Sequence, residues 1–268
     1  MINIIGIGEM GCKLATEFAK SEHYDVYKIG IGLPKNKRSR GMKKQTCAEK
    51  YEQNCPPMKH FLKELSGRSI LLVNGGEAIS AITLRVLENC RPWATTVAYI
   101  EPDRSSLNEE AKLQEKMVFN VLQEYARSGA IGQLLLFSVK NLEQAMGDVP
   151  IIGYEETLLR YIFSSLNLIN YFEHSTPVLS VDSDSVDYSE ERVFFDLADV
   201  RERMYYCGIN ENELRNDNKL LSKIKEKIDS QRTPEQRTSY RVYSTTYEEP
   251  HIFCVQSSAM IQKRDESA

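Results

Sequence analysis

The chain has 268 residues and nearly balanced charge, 34 Lys+Arg against 38 Asp+Glu, for a formal net charge of −4. With 41% hydrophobic and 27% charged residues its composition is that of an ordinary globular protein, which excludes collagen-like, coiled-coil and wholly disordered chains and gives no electrostatic push toward nucleic acid. No apolar run reaches the roughly 18 residues of a membrane helix, and Met1-Ile2-Asn3-Ile4-Ile5 lacks the basic start of a secretory signal, so a cytoplasmic location is expected.

Strand-like and helix-like segments alternate through the first two-thirds. Asn3 to Ile7 reads as a buried strand, Gly11 to Lys20 as a short helix, and Asp25 to Ile31 as a second strand. Pro57 to Leu65 carries Met58, Phe61, Leu62 and Leu65 at helical spacing. Ser69 to Asn74, Thr95 to Glu101 and Gln133 to Phe137 read as strands, with a helix expected over Glu77 to Asn89. Leu107 to Arg127 reads as a long helix with the stripe Leu113, Met117, Val118, Val121, Leu122 and Tyr125. Glu155 to Phe172 is a further helix. Ser180 to Ser189 reads as an exposed linker, 196–206 and 211–230 as helices, and 240–247 with 251–256 as a terminal hairpin. The expected architecture is α/β: a Rossmann-like parallel sheet with helices on both faces, a central linking helix, and a reduced C-terminal α+β part. The expected division is 1–175 for the nucleotide-binding domain, 176–261 for the smaller one, and a disordered tail over 262–268.

Ligands in such sheets sit at the carboxyl ends of the strands, in the loops that follow. The first of these loops is Gly6-Ile7-Gly8-Glu9-Met10-Gly11, between a strand and a helix, where glycine lets a backbone approach phosphate at a helix N-terminus. A dinucleotide site also needs an acid at the end of the second strand, and Gly30-Ile31-Gly32-Leu33-Pro34-Lys35 has none. An NAD(P)- or flavin-dependent enzyme is therefore disfavoured. Asn74-Gly75-Gly76-Glu77-Ala78-Ile79-Ser80 is a second glycine turn opening a helix, and the two turns would form one concave anion site. The six cysteines show no C-x-x-C pair and the four histidines lie far apart, which disfavours zinc and a disulfide framework and suits an intracellular protein with reduced thiols.

Taken in order, these motifs resemble those of the tubulin/FtsZ family of GTP-binding, self-polymerising proteins. Gly8-Glu9-Met10-Gly11 is similar to the tubulin G-Q-C-G loop, and Asn74 to Ser80 stands where the family has G-G-G-T-G-S/T-G. Ile100-Glu101-Pro102 with Ser105-Ser106-Leu107 resembles V-E-P-Y-N-A-T-L, Phe163-Ser164-Ser165-Leu166-Asn167 resembles Y-G-D-L-N, and Val193 to Val200 resembles I-N-x-D-F-A-D-V. The resemblance implies a GTP or GDP site, with Mg2+ as an accompanying ion. Its contacts would be Gly8, Glu9, Met10, Gly11, Gly75, Gly76 and Glu77 on phosphate, Glu101 on ribose, Phe163 stacked on guanine and Asn167 reading the guanine edge. It also implies head-to-tail filaments in which Asp196 and Asp199 of one subunit complete the neighbour's GTPase site. Each residue also has a plainer role open to it: Phe163 as core, Asn167 as a solvent-facing helix residue, Asp196 and Asp199 as helix caps.

Several positions depart from the family pattern. Only Gly75 and Gly76 remain of the phosphate loop, Glu77 stands where a small residue is usual, and Phe194 replaces the catalytic segment's Asn. A carboxylate beside a triphosphate is repulsive unless a cation offsets it. These departures leave a second reading open, a non-hydrolysing scaffold or regulator of another polymer. Lys35, Lys37, Arg38, Arg40, Lys43 and Lys44 form a basic run expected in a loop, with compensation of the lost glycines as one use for it.

Overall fold

A computed structural model describes residues 1–90, 94–181, 191–193, 200–230, 236–246 and 251–258. They divide into two compact units, one built on Met1–Phe163 together with Glu191, and one on 164–181 and the described residues from Arg192 onward.

The first unit contains β1 (Ile2–Ile7), α1 (Gly8–Phe18), β2 (Tyr24–Ile31), β3 (Ser39–Met42), α2 (Ala48–Gln53) and β4 (Ser69–Asn74). A 3-10 turn over Ala78–Ile82 then runs into α3 (Thr83–Leu87). After these come β5 (Thr95–Glu101), α4 (Glu109–Arg127), β6 (Gln133–Ser138), α5 (Val139–Met146) and the start of α6 (Tyr154–His174). Six strands lie in the order β3-β2-β1-β4-β5-β6, and every pairing is parallel. The central strands carry near-continuous apolar runs, such as Ile70 to Val73 and Val97 to Ile100, and these side chains are buried. A parallel sheet covered on both faces demands that composition. Register brings Ile7 level with Val73, Asn74 with Ile100, and Glu101 with Ser138, so the loops that follow share one edge.

Several expectations are corrected here. The basic run holds an edge strand: β3 pairs Ser39 with Lys28. Residues 57–65 form turns rather than a helix, although Met58 and Leu62 are buried as their spacing predicts. Two successive prolines, Pro56 and Pro57, cannot donate backbone hydrogen bonds, and the segment closes only turns such as Leu62 N to Met58 O at 2.9 Å. The inner face of α4 is Glu115, Phe119, Leu122, Gln123 and Ala126, while Leu113 and Met117 are exposed. The apolar stripe misled because a buried acid, Glu115, belongs to the inner face: it accepts from the Tyr99 hydroxyl at 3.0 Å.

The second unit contains the later part of α6, then β7 (Leu179–Val181), with the short β8 (Glu191–Val193) preceding β9 (Glu202–Asn210), α7 (Glu211–Asn216), α8 (Leu220–Asp229), β10 (Arg237–Thr245) and β11 (His251–Ser258). Its strands lie in the order β11-β9-β10-β7. Successive residues of β9 enter opposite cores. Tyr205, Cys207 and Ile209 pack with Leu220, Ile224 and Ile228 of α8, and Met204 and Tyr206 pack with Ile169, Phe172, Tyr243 and Val255.

That alternation explains why 202–206 is strand where a helix was expected. The expected terminal hairpin is also absent: β9 lies between β10 and β11, parallel to the first and antiparallel to the second. Two helices link β9 to β10, the crossover that parallel strands require. Ser180 and Val181 pair with β10 rather than opening a loop. The rest of the expected linker and the tail over 262–268 lie outside the described residues. Among the described residues no helix is long and apolar enough to cross a membrane.

Candidate functional site

The site starts at the junction of β1 and α1. Ile7 is extended and supplies no side-chain cap, so the first-turn N–H groups of α1 need partners from elsewhere in the fold. The partner is Glu77. Its Oε2 accepts from Glu9 N at 2.6 Å and its Oε1 from Met10 N at 2.9 Å. Gly8 makes that approach feasible: its φ is +81°, and a Cβ there would stand 2.2 Å from Glu77 Oε2. Gly11 lies in α1 where the helix backbone closes on β4, and a Cβ would meet Leu72 O at 2.5 Å.

The turn after β4 is saturated by its own surroundings. Gly75 N donates to Ile100 O at 3.0 Å, Gly76 N to Asn74 Oδ1 at 2.9 Å, and Glu77 N to Asn74 O at 3.2 Å. Asn74 Nδ2 reaches Met10 Sδ at 3.5 Å, so one side chain ties both turns together. Gly75 is required by packing: a Cβ would stand 1.9 Å from Tyr99 Oη.

Burial pushes the Glu77 carboxyl above its ordinary range, and the N–H groups of Met10 and Glu9 pull it partly back. Glu9 points outward, where Lys13 pairs with it at 2.8 Å and with Glu155 at 2.7 Å. Hydrogen bonding to Glu155, then Glu9, raises Lys13 to about 12.

The structure therefore brings Gly8, Glu9, Met10 and Gly11 against Gly75, Gly76 and Glu77. Glu101 ends β5 on the same edge, half-buried and level with Ser138. Phe163 sits edge-on to Phe18 of α1, ring centroids 4.8 Å apart, so at least part of its face is committed to packing. Asn167 follows one turn later on α6, within the second unit. Asp196 and Asp199 lie outside the described residues. The basic run does not gather at the turns: Arg38 pairs with Asp25 at 2.9 Å and lies 4.5 Å over Tyr27, while Lys35, Lys37 and Arg40 line a separate cleft of about 540 Å³ with His60 and Lys63. Sequence reasoning missed Asn74 and Lys13. The i,i+4 spacing of Glu9 and Lys13 was legible, and nothing in the sequence marked Asn74 as the tie between turns.

No protein-family model matches the sequence, and no curated protein is similar to it in sequence. Solved structures are similar in fold. A helical model of a TubZ-Bt four-stranded filament matches with a TM-score of 0.67 at 12% identity, over 98% of this chain and 87% of that one. A GTPγS-form TubZ protofilament of Bacillus thuringiensis serovar israelensis matches at 0.66 and 11%, over 96% and 86%. An empty FtsZ dimer of M. jannaschii matches at 0.63 and 10%, over 96% and 88%. The chain has a tubulin/FtsZ-like fold.

Guanine nucleotide is the ligand that the motif resemblance implies, and it can be tested against the residues present. The elements of a phosphate cradle exist in this tubulin/FtsZ-like chain: a strand-turn-helix junction, a glycine with positive φ, and adjacent N–H groups at the positive end of a helix. In this arrangement every one of those N–H groups is engaged within the chain. The N–H groups of Glu9 and Met10 already serve a carboxylate, and those of Gly75, Gly76 and Glu77 serve their own loop and strand.

Proposed function

We propose that this protein assembles head to tail into filaments, binds GTP or GDP at the loops after β1, β4 and β5, and presents Asp196 and Asp199 of one subunit to the nucleotide site of the next. The observation that carries the reading is the fold match over 96–98% of the chain to proteins described as a filament, a protofilament and a dimer.

The test is to denature purified protein, identify any released nucleotide by chromatography, and follow pelleting with GTP, with GDP and without nucleotide. Retained guanine nucleotide or GTP-dependent pelleting upholds the reading. GTP turnover that rises with protein concentration and disappears in Asp196→Ala supports the role of the acids. Failure to pellet under every condition sinks assembly.

Glu77 favours a second reading, a scaffold or regulator of another polymer that assembles without nucleotide. Equal pelleting under all three conditions, with no guanine nucleotide retained, is its signature.

A further inference from the structure

Glu77 turns its side chain back from the loop after β4 to the start of α1. Both oxygens of the carboxylate are engaged there by consecutive backbone N–H groups, at 2.6 and 2.9 Å, at the positive end of an eleven-residue helix. That is the bonding pattern a phosphate oxygen pair makes at such a junction. The backbone that delivers the carboxylate is held from both sides. Glu77 N donates to Asn74 O, while Glu77 O accepts from Ser80 N at 2.9 Å and from the Gln114 amide at 3.3 Å. The carboxylate can therefore leave by rotation of its own side chain, without unmaking the loop.

We propose that Glu77 is a built-in anion that closes the α1 amide cradle, and that a nucleoside phosphate binds this protein only by displacing the Glu77 carboxylate. The proposal rests on reading the loops after β1 and β4 as the nucleotide site. Two anions cannot share the same pair of N–H donors, and at contact distance like charges repel. Lys13, whose charge reaches Glu77, is already engaged by Glu9 and Glu155. A closed cradle also satisfies the first-turn donors of α1 without ligand, so the fold does not depend on nucleotide to complete that helix.

The test compares wild type with Glu77→Ala and Glu77→Gln by isothermal titration with inorganic pyrophosphate, GDP and ADP, each with and without Mg2+. Melting curves confirm that the variants are folded. Glu77→Ala is expected to bind pyrophosphate and GDP about tenfold or more tighter than wild type, with Glu77→Gln between them. Should Glu77→Ala fail to fold, Glu77→Gln carries the comparison, since it keeps the shape and removes the charge.

Equal affinities in wild type and folded variants overturn the proposal, as does the absence of pyrophosphate binding in both variants. Tightened pyrophosphate binding with no preference for GDP over ADP upholds Glu77 as the occupant and sinks the guanine reading. GDP bound equally well by all three proteins, and better than ADP, does the reverse.

Discussion

The turns after β1 and β4 each follow a parallel strand, carry glycine and lead into helical backbone, yet their glycines answer different needs. In the first turn Gly8 takes a left-handed φ and clears space for a carboxylate. In the second, Gly75 clears space for the buried ring of Tyr99, and the N–H groups of the turn are consumed locally. One turn offers its donors outward and the other folds them in. A glycine-rich motif therefore does not by itself specify an anion site. What matters is where the freed N–H groups point, and that depends on neighbours distant in sequence.

Substitutions can break this comparison. The largest effect is expected at Gly75→Ala. The new Cβ would lie 1.9 Å from Tyr99 Oη, and the ring cannot retreat because it is fully buried, hydrogen-bonded to Glu115 and packed on Phe119 with centroids 5.4 Å apart. Overpacking of that kind costs about 3 kcal/mol, measurable by denaturant unfolding. A loss below about 1 kcal/mol would mean that the second turn is as permissive as an ordinary loop.

Gly8→Ala is expected to cost about 2 kcal/mol, combining a left-handed φ with displacement of Glu77. The same substitution made in Glu77→Ala is expected to cost less, because the clash with the carboxylate is gone and only the φ penalty remains. Strict additivity would show that Gly8 and Glu77 do not meet.

The smallest effect is the pH dependence at Glu77. The fold raises this carboxyl, so it favours the protonated form. The contribution of Glu77 is then fully present below the unfolded-state value of about 4.3 and is lost as pH rises through the folded value. Relative to Glu77→Gln, which does not titrate, wild type is expected to lose melting temperature as pH rises from the unfolded-state value through the raised folded-state one. The opposite slope would mean that the N–H groups of Glu9 and Met10 outweigh burial.

The first sheet was readable because strands buried on both faces appear as apolar runs, as Ser69 to Asn74 does, and because glycine and proline mark their ends. The edge strand β3 was not readable. Ser39-Arg40-Gly41-Met42 has no apolar run, and it is a strand because β2 offers it an unpaired edge. β9 was misread for a related reason. Glu202-Arg203-Met204-Tyr205-Tyr206 has no simple polar–apolar alternation, since both of its faces are covered and Tyr205 and Tyr206 point into different cores. At the site, the glycine turns and the junction of β1 with α1 were legible, and Glu77 was singled out as a departure. Its destination was not legible, because that depends on β1 and β4 lying side by side.

The sequence by itself determined the parallel α/β core, the order of the loops along one edge and the likeness of their motifs to the tubulin/FtsZ family, because these follow from hydrophobic period and turn chemistry, which are local. Only the tertiary structure decided what the loops do with their donors. A backbone N–H must find an acceptor, and here the acceptor is a carboxylate 68 residues away along the chain.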